Sequence, residues 1–305
     1  MKKLILVLIA IICSNIGYGQ AIEKEFFKLI KENGHYVFDA SINHRVPVRC
    51  LLESGIHVML IDSTFAFNHI KELNLQFSKT SGHEKMNLGG KVYEITHKAK
   101  GTIQLGCNAE YSGEIFILPN YQSYFNLAVP IQHLKNSLTN SRIVCLDMEK
   151  HELRLLTRSH FKTQIPHYQA MQINYNSYLK MPCINTELII TQDQKYYSLK
   201  GNFILDLGNA ELLFLIKQNS NVRTFLKKHN DIKIKNAYNK RGKLVAQILI
   251  SDKLHFGNRN FVNKFIGITS ALPRFSSSEG SIGLKYFDGT VCVFDFEKSI
   301  FYIQN

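Results

Sequence analysis

The chain has 305 residues, 45% of them hydrophobic and 20% charged, with 37 Lys and Arg against 24 Asp and Glu for a formal charge of +13. That length suits two domains of ordinary size, each able to bury its own core, and the composition excludes a disordered or membrane-embedded chain. The basic residues are spread along the sequence, the densest run from Lys227 to Lys243 is broken by turn residues, and no nucleic-acid motif accompanies them, so no nucleic-acid partner is expected.

The N-terminus reads as a secretory signal over residues 1–19. Met1-Lys2-Lys3 is a basic start, Leu4 to Ile12 an apolar run, and Gly17-Tyr18-Gly19 a small-residue cleavage site before Gln20. The apolar run is too short for a membrane span, so no integral span is expected in the mature chain. Export would place the protein in the periplasm, on the cell surface or outside the cell. Cys13 invites a lipoprotein reading, which the bulky Ile12 beside it argues against. The remaining cysteines, Cys50, Cys107, Cys145, Cys183 and Cys292, are odd in number, lack C-x-x-C spacing and lie in or beside apolar runs, which fits buried free thiols.

Ala21 to Asn33 has helical spacing and predicts a short leading helix ending at Asn33-Gly34. From Tyr36 the period is two: Tyr36 to Ile42 and Val46 to Leu52 predict strands joined at Asn43-His44, the second ending on Glu53. Val58 to Ile61 predicts a third strand, and Asp62-Ser63-Thr64 a helix start, with Asp62 as its cap. Lys85 to Tyr93 predicts a hairpin with Gly89-Gly90 at its tip. Strands at Thr102–Gly106 and Ile115–Leu118, a helical piece near Ile131 to Leu138, and a closing pair at Arg142–Asp147 and Leu153–Leu156 complete the first half.

The second half repeats that order. Strands at Lys180–Ile184 and Glu187–Thr191 precede Tyr196–Leu205, which ends on Asp206. Leu212–Leu215, a helix at Val222–Lys228, strands at Leu244–Ile250 and Lys253–Gly257, and a closing pair at Val291–Asp295 and Ser299–Ile303 follow. Glu53 lies 153 residues before Asp206, Gly106 lies 151 before Gly257, and Asp147 lies 148 before Asp295. Matched landmarks in one order predict two homologous all-β lobes, residues 20–156 and 176–305, joined by a polar, unpatterned linker at 157–175.

Each half also delivers an acid from an apolar strand into a turn: Leu51-Leu52-Glu53-Ser54-Gly55 and Ile204-Leu205-Asp206-Leu207-Gly208. Two carboxylates brought together in this way can share one proton and activate water. The pattern resembles the retropepsin-like and pepsin-like aspartyl proteases found in secreted bacterial proteins. The resemblance implies two β-barrel lobes with a few short helices and a central cleft. It implies Asp206 and Glu53 as the catalytic acids, Ser54, Gly55, Leu207 and Gly208 as active-site loop residues, and Gly89-Gly90 as the tip of a flap. It also places Ser281-Ile282-Gly283 behind the second acid loop.

Three positions depart from the family pattern. Glu53 stands for an aspartate, Leu207 for a hydroxyl residue, and Leu127-Ala128-Val129-Pro130 for an apolar-apolar-glycine segment. The expected activity is peptide-bond hydrolysis on a peptide or protein substrate, without cofactor or metal. The alternative is an inactive pseudoprotease serving as a peptide-binding or envelope-interaction module. Asp62 and Asp147 are read as a helix cap and a strand end, and the histidines show no zinc-site spacing.

Overall fold

The computed structural model describes residues 26–82, 84–88, 91–119, 121, 124–162, 167–177, 180–238, 244–270 and 277–304. The expected signal segment, residues 1–19, and the expected hairpin tip Gly89-Gly90 lie outside the described residues.

Alternating burial builds the first lobe around one sheet. Its strands run in the order Leu134–Asn136, Ala109–Leu118, Met59–Asp62, Leu127–Pro130, Val46–Glu53, His35–Ile42, His97–Leu105 and Ser78–Lys79. The Ala109–Leu118 strand also pairs with His97–Leu105, which closes the sheet into a barrel. Tyr36, Phe38, Ile42, Cys50 and Leu52 share the core it encloses. The second lobe closes in the same way, because Pro182–Gln192 pairs with both Lys195–Leu205 and Leu244–Phe256. The corresponding hairpins turn on residues with positive φ, Asn43 and His44 in one lobe and Asp193 and Gln194 in the other.

A third group of strands takes members from both halves. Ile143–Asp147 pairs antiparallel with Val291–Asp295, with Cys145 opposite Val293, while Glu152–Leu156 and Ile300–Gln304 flank them. The pairing has a local two-fold: Asp147 Oδ1 accepts the Lys150 N–H at 2.9 Å, and Asp295 Oδ1 accepts the Lys298 N–H at 3.1 Å. Both acids end closing strands, as expected for Asp147, and Asp62 caps the Ser63–Asn68 helix through the Phe65 N–H.

Tertiary pairing overrides several local patterns. The described part of the predicted leading helix, from residue 26 on, is instead two short strands, Phe26–Lys28 and Ile30–Glu32, with Phe27 and Leu29 buried and Phe26 and Ile30 exposed. Pairing with Glu152–Arg154 and with His35–Val37 supplies hydrogen bonds that seven residues of weak helical spacing cannot match. Within the stretch 157–175 lie an Arg158–Lys162 helix and a Tyr168–Tyr175 strand paired with Ile300–Gln304. Ile131–His133 is a single 3-10 turn followed by a strand, and the pairs of strands expected at 180–191 and 244–257 are each continuous. Cys50, Cys145, Cys183 and Cys292 are buried free thiols, whereas Cys107 is exposed. No helix among the described residues is long and apolar enough to cross a membrane.

The closing strand ends on an unequal ion pair. The Asp295 side chain is 0% exposed and its partner Arg158 is 28% exposed, with Glu297 as a second acid on the same guanidinium. Removing the arginine strands a buried charge, whereas a neutral residue at 295 leaves Arg158 free to hydrate and to keep Glu297. Arg158→Ala is therefore expected to cost about 3 to 5 kcal/mol in urea unfolding and Asp295→Asn about 1 to 3 kcal/mol. Equal losses would contradict this account.

Candidate active site

Each acid ends a strand held on both sides. Cys50, Leu51 and Leu52 are buried ahead of Glu53, and Phe203, Ile204 and Leu205 ahead of Asp206. A later segment of the same lobe runs parallel beside each: Val129 sits opposite Leu52, and Ile282 opposite Leu205. The apolar run thus anchors the loop while the turn residues beyond it, freed from the ladder, project the carboxyl.

The two loops meet face to face. A Cβ on Gly55 would lie 2.3 Å from Asp206 Oδ1, and one on Gly208 would lie 1.9 Å from Glu53 Oε1. Each carboxyl therefore occupies space that only glycine in the opposite loop leaves open. Ser54 ties the loops together. Its hydroxyl donates to the Leu205 carbonyl at 2.7 Å and accepts the Leu207 N–H at 2.9 Å, in a position 0% exposed. The structure thus brings together Glu53, Ser54, Gly55, Asp206, Leu207 and Gly208.

The two acids differ in their donors. Asp206 Oδ1 accepts the Gly208 N–H at 3.1 Å and Oδ2 the Ser281 hydroxyl at 2.9 Å, and Ser281 in turn accepts from the Asn209 amide at 3.3 Å. Glu53 Oε2 accepts the N–H groups of Ser54 at 3.1 Å and Gly55 at 3.2 Å. In the register that Ser281 holds beside Ile204, the first lobe has Ala128 beside Leu51, so no hydroxyl reaches Glu53 from there. Burial raises the pKa of both acids. Glu53 is pushed up to about 8 by burial first and then by the negative charge of Asp206. For Asp206 the bonds from Ser281, Gly208 and Asn209 oppose the rise. Asp206 is thus the acid with the side-chain hydroxyl donor, and the two carboxyls titrate as a coupled pair.

Several residues around the acids carry no motif of their own. In the second lobe the loop packs directly on Gly283, where a Cβ would lie 2.2 Å from the Glu211 carbonyl oxygen, and Leu284 N–H bonds the Asn209 carbonyl at 2.7 Å. In the first lobe Pro130 occupies the corresponding place, and the buried Gln132 side chain donates to the Ile56 carbonyl. His35 hydrogen-bonds the Gly208 backbone, and burial lowers its pKa. Beside Glu53 stands an aromatic wall: Tyr121 contacts Tyr93 edge-on at 5.5 Å and Phe125 at 5.3 Å, and the Glu53 charge adds to burial in raising the Tyr121 pKa. Tyr93 belongs to the hairpin of Lys85–Leu88 and Lys91–Glu94, which forms as expected, with Met86 and Leu88 packed against the same cluster. Ser281, Gly283 and Pro130 lie in segments that the sequence singles out, whereas Gln132, His35, Tyr121 and Phe125 carry no such signal.

Solved structures share this architecture. An aspartic proteinase from Irpex lacteus matches with a TM-score of 0.56 at 12% identity, covering 92% of this chain and 97% of that one. Basic 7S globulin from soybean matches with a TM-score of 0.53 at 9% identity, covering 92% and 94%. No family pattern matches the sequence, and no curated protein matches it. The chain has the bilobal aspartic-proteinase fold. At these identities the likeness is one of fold, and the chemistry has to be argued from this chain's own loops.

Within the aspartic-proteinase fold, the lobe junction rests on Ser54. Ser54→Ala leaves the Leu205 carbonyl and the Leu207 N–H buried without their partner and is expected to cost about 2 to 4 kcal/mol in urea unfolding, with Ser54→Thr close to wild type. Glu53 also predicts a pH slope. A folded-state pKa raised to about 8 means that its stabilising contribution is fully present below the unfolded value near 4.5 and is lost as pH rises through 8. Asp206, also raised, acts in the same direction. Wild type should therefore lose stability from pH 5 to 8 more steeply than Glu53→Gln, and parallel curves would refute the assignment.

Proposed function

We propose that the protein is an exported aspartic-type endopeptidase that hydrolyses peptide bonds with the Glu53 and Asp206 pair. The observation that carries this is the mutual approach of the loops, in which each carboxyl fills the place of a Cβ on the opposite glycine. Such crowding costs stability through desolvation and like charge, and it suits a pair that shares one proton. Export rests on the Lys2-Lys3, apolar-run and Gly17-Tyr18-Gly19 pattern, and the lobes divide at 157–175.

In this reading Asp206 is the general base and Glu53 the general acid. A water held between the carboxyls gives its proton to Asp206 as its oxygen attacks the scissile carbonyl carbon, while the Glu53 proton moves to the carbonyl oxygen. The tetrahedral intermediate then collapses: the proton on Asp206 passes to the leaving amine, and one proton returns to Glu53. In the same reading the hairpin strands Lys85–Leu88 and Lys91–Glu94 would cover an extended peptide, a role supported by the packing of Met86, Leu88 and Tyr93 in the aromatic cluster beside Glu53.

A second reading has its own observation. Leu207 and Ala128 put carbon where the opposite positions, Ser54 and Ser281, put hydroxyls, so the acids are supported unequally. This favours a pseudoprotease that holds peptide without cutting it, as a binding or envelope-interaction module. A peptide library assayed from pH 3 to 9 separates the two. Proteolysis predicts cleavage that declines as pH rises past about 8 and that Asp206→Asn lowers by about 100- to 10,000-fold. Cleavage surviving Asp206→Asn refutes the mechanism, and peptide retained uncut at every pH supports the module.

A further inference from the structure

The approximate two-fold axis between the loops relates Ser54 to Leu207, and their hydrogen bonds show an unfilled half. Leu207 N–H crosses to the Ser54 hydroxyl at 2.9 Å. The symmetric bond would run from Ser54 N–H to a side-chain acceptor at 207, and leucine has none. Both residues are 0% exposed, so water does not reach the donor. A buried N–H without an acceptor is one of the costlier defects a loop can carry.

The donor is satisfied from its own loop. Ser54 N–H meets Glu53 Oε2 at 3.1 Å, and the same oxygen takes the Gly55 N–H at 3.2 Å. In the opposite loop Asp206 Oδ1 takes the Gly208 N–H, two residues on, while the adjacent Leu207 N–H goes to Ser54. The additional methylene of a glutamate lets its carboxylate curl over two successive N–H groups where the aspartate serves the second. We propose that Glu53 and Leu207 are a matched pair: the glutamate supplies the acceptor that leucine withholds, and the first acid position is thereby committed to glutamate. Two departures that look like independent erosion become one compensated change. Oε2 clamps the loop, and Oε1 is left over Gly208 to take part in the shared proton. The consequence for catalysis rests on the proteolytic reading, while the pairing itself rests on the loop geometry.

The full mature chain and its Glu53→Asp, Leu207→Thr, Glu53→Asp/Leu207→Thr and Glu53→Gln variants test this by thermal unfolding at pH 6. Glu53→Asp is expected to lower Tm by roughly 2 to 6 °C, because Ser54 N–H loses its acceptor. Glu53→Gln, which keeps the length and an amide oxygen, should stay within about 2 °C of wild type. The double variant, with a hydroxyl at 207, should recover most of the Glu53→Asp loss. In Leu207→Thr the competing acceptor should move the Glu53 titration upward when followed by carbon NMR, a change that mere repacking would not produce. Should Glu53→Asp fail to fold, recovery of folded double variant supports the pairing and its absence overturns it. Additive losses in the double variant, or a Glu53→Asp as stable as wild type, overturn it as well. Non-additive losses with no cleavage by any variant uphold the pairing and remove the proteolytic reading instead.

Discussion

The Ser54 hydroxyl serves both lobes at their meeting point. It gives its proton to the Leu205 carbonyl and receives the Leu207 N–H, so one side chain of the first lobe closes two backbone groups of the second. With those groups buried and answered, the glycines at 55 and 208 can lie against the opposing carboxyls. The distance over which Glu53 and Asp206 feel one another follows from that tie, and so does the direction of their pKa shifts. Because the strand residues immediately ahead of the acids are buried and paired on both sides, the tie is held between two firm supports.

Asymmetry in the pair arises from neighbours more than from the acids. Asp206 has a hydroxyl donor in Ser281, itself fixed by Asn209, whereas the matching register in the first lobe holds Ala128. Glu53 instead relies on two N–H groups of its own loop. A carboxylate with a charge-assisted hydroxyl bond is the better anion of two. The two acids of a pseudo-symmetric frame are therefore supported unequally. Pro130 and Gln132 repeat the theme behind the loop, where a side-chain amide takes over a contact that the second lobe makes through backbone at Leu284.

Support for the cleft extends well beyond the loops. The antiparallel pairing of Ile143–Asp147 with Val291–Asp295 joins the halves through a continuous sheet, and the equivalent turn bonds at Asp147 and Asp295 keep its two-fold character. On the other side, Tyr93, Tyr121 and Phe125 pack a hairpin onto the wall beside Glu53.

The amino-acid sequence by itself determined the duplication, the all-β class and the two acid loops, because alternating apolar runs ending in acid and glycine are local signals that survive in any context. It also marked Asp62 as a cap and Asp147 as a strand end. The Phe26–Glu32 strands, the order within 157–175 and the continuity of Leu244–Phe256 were decided only in the folded chain, since edge pairing from distant segments outweighs weak local periodicity. The same holds for the chemistry. Ser281 on Asp206, Gln132 on Ile56, His35 on Gly208 and Tyr121 beside Glu53 are contacts across tens of residues or more, invisible to spacing. Read along the chain, glutamate at 53 and leucine at 207 are two losses; brought within hydrogen-bonding distance of Ser54, they are donor and acceptor problems with one solution.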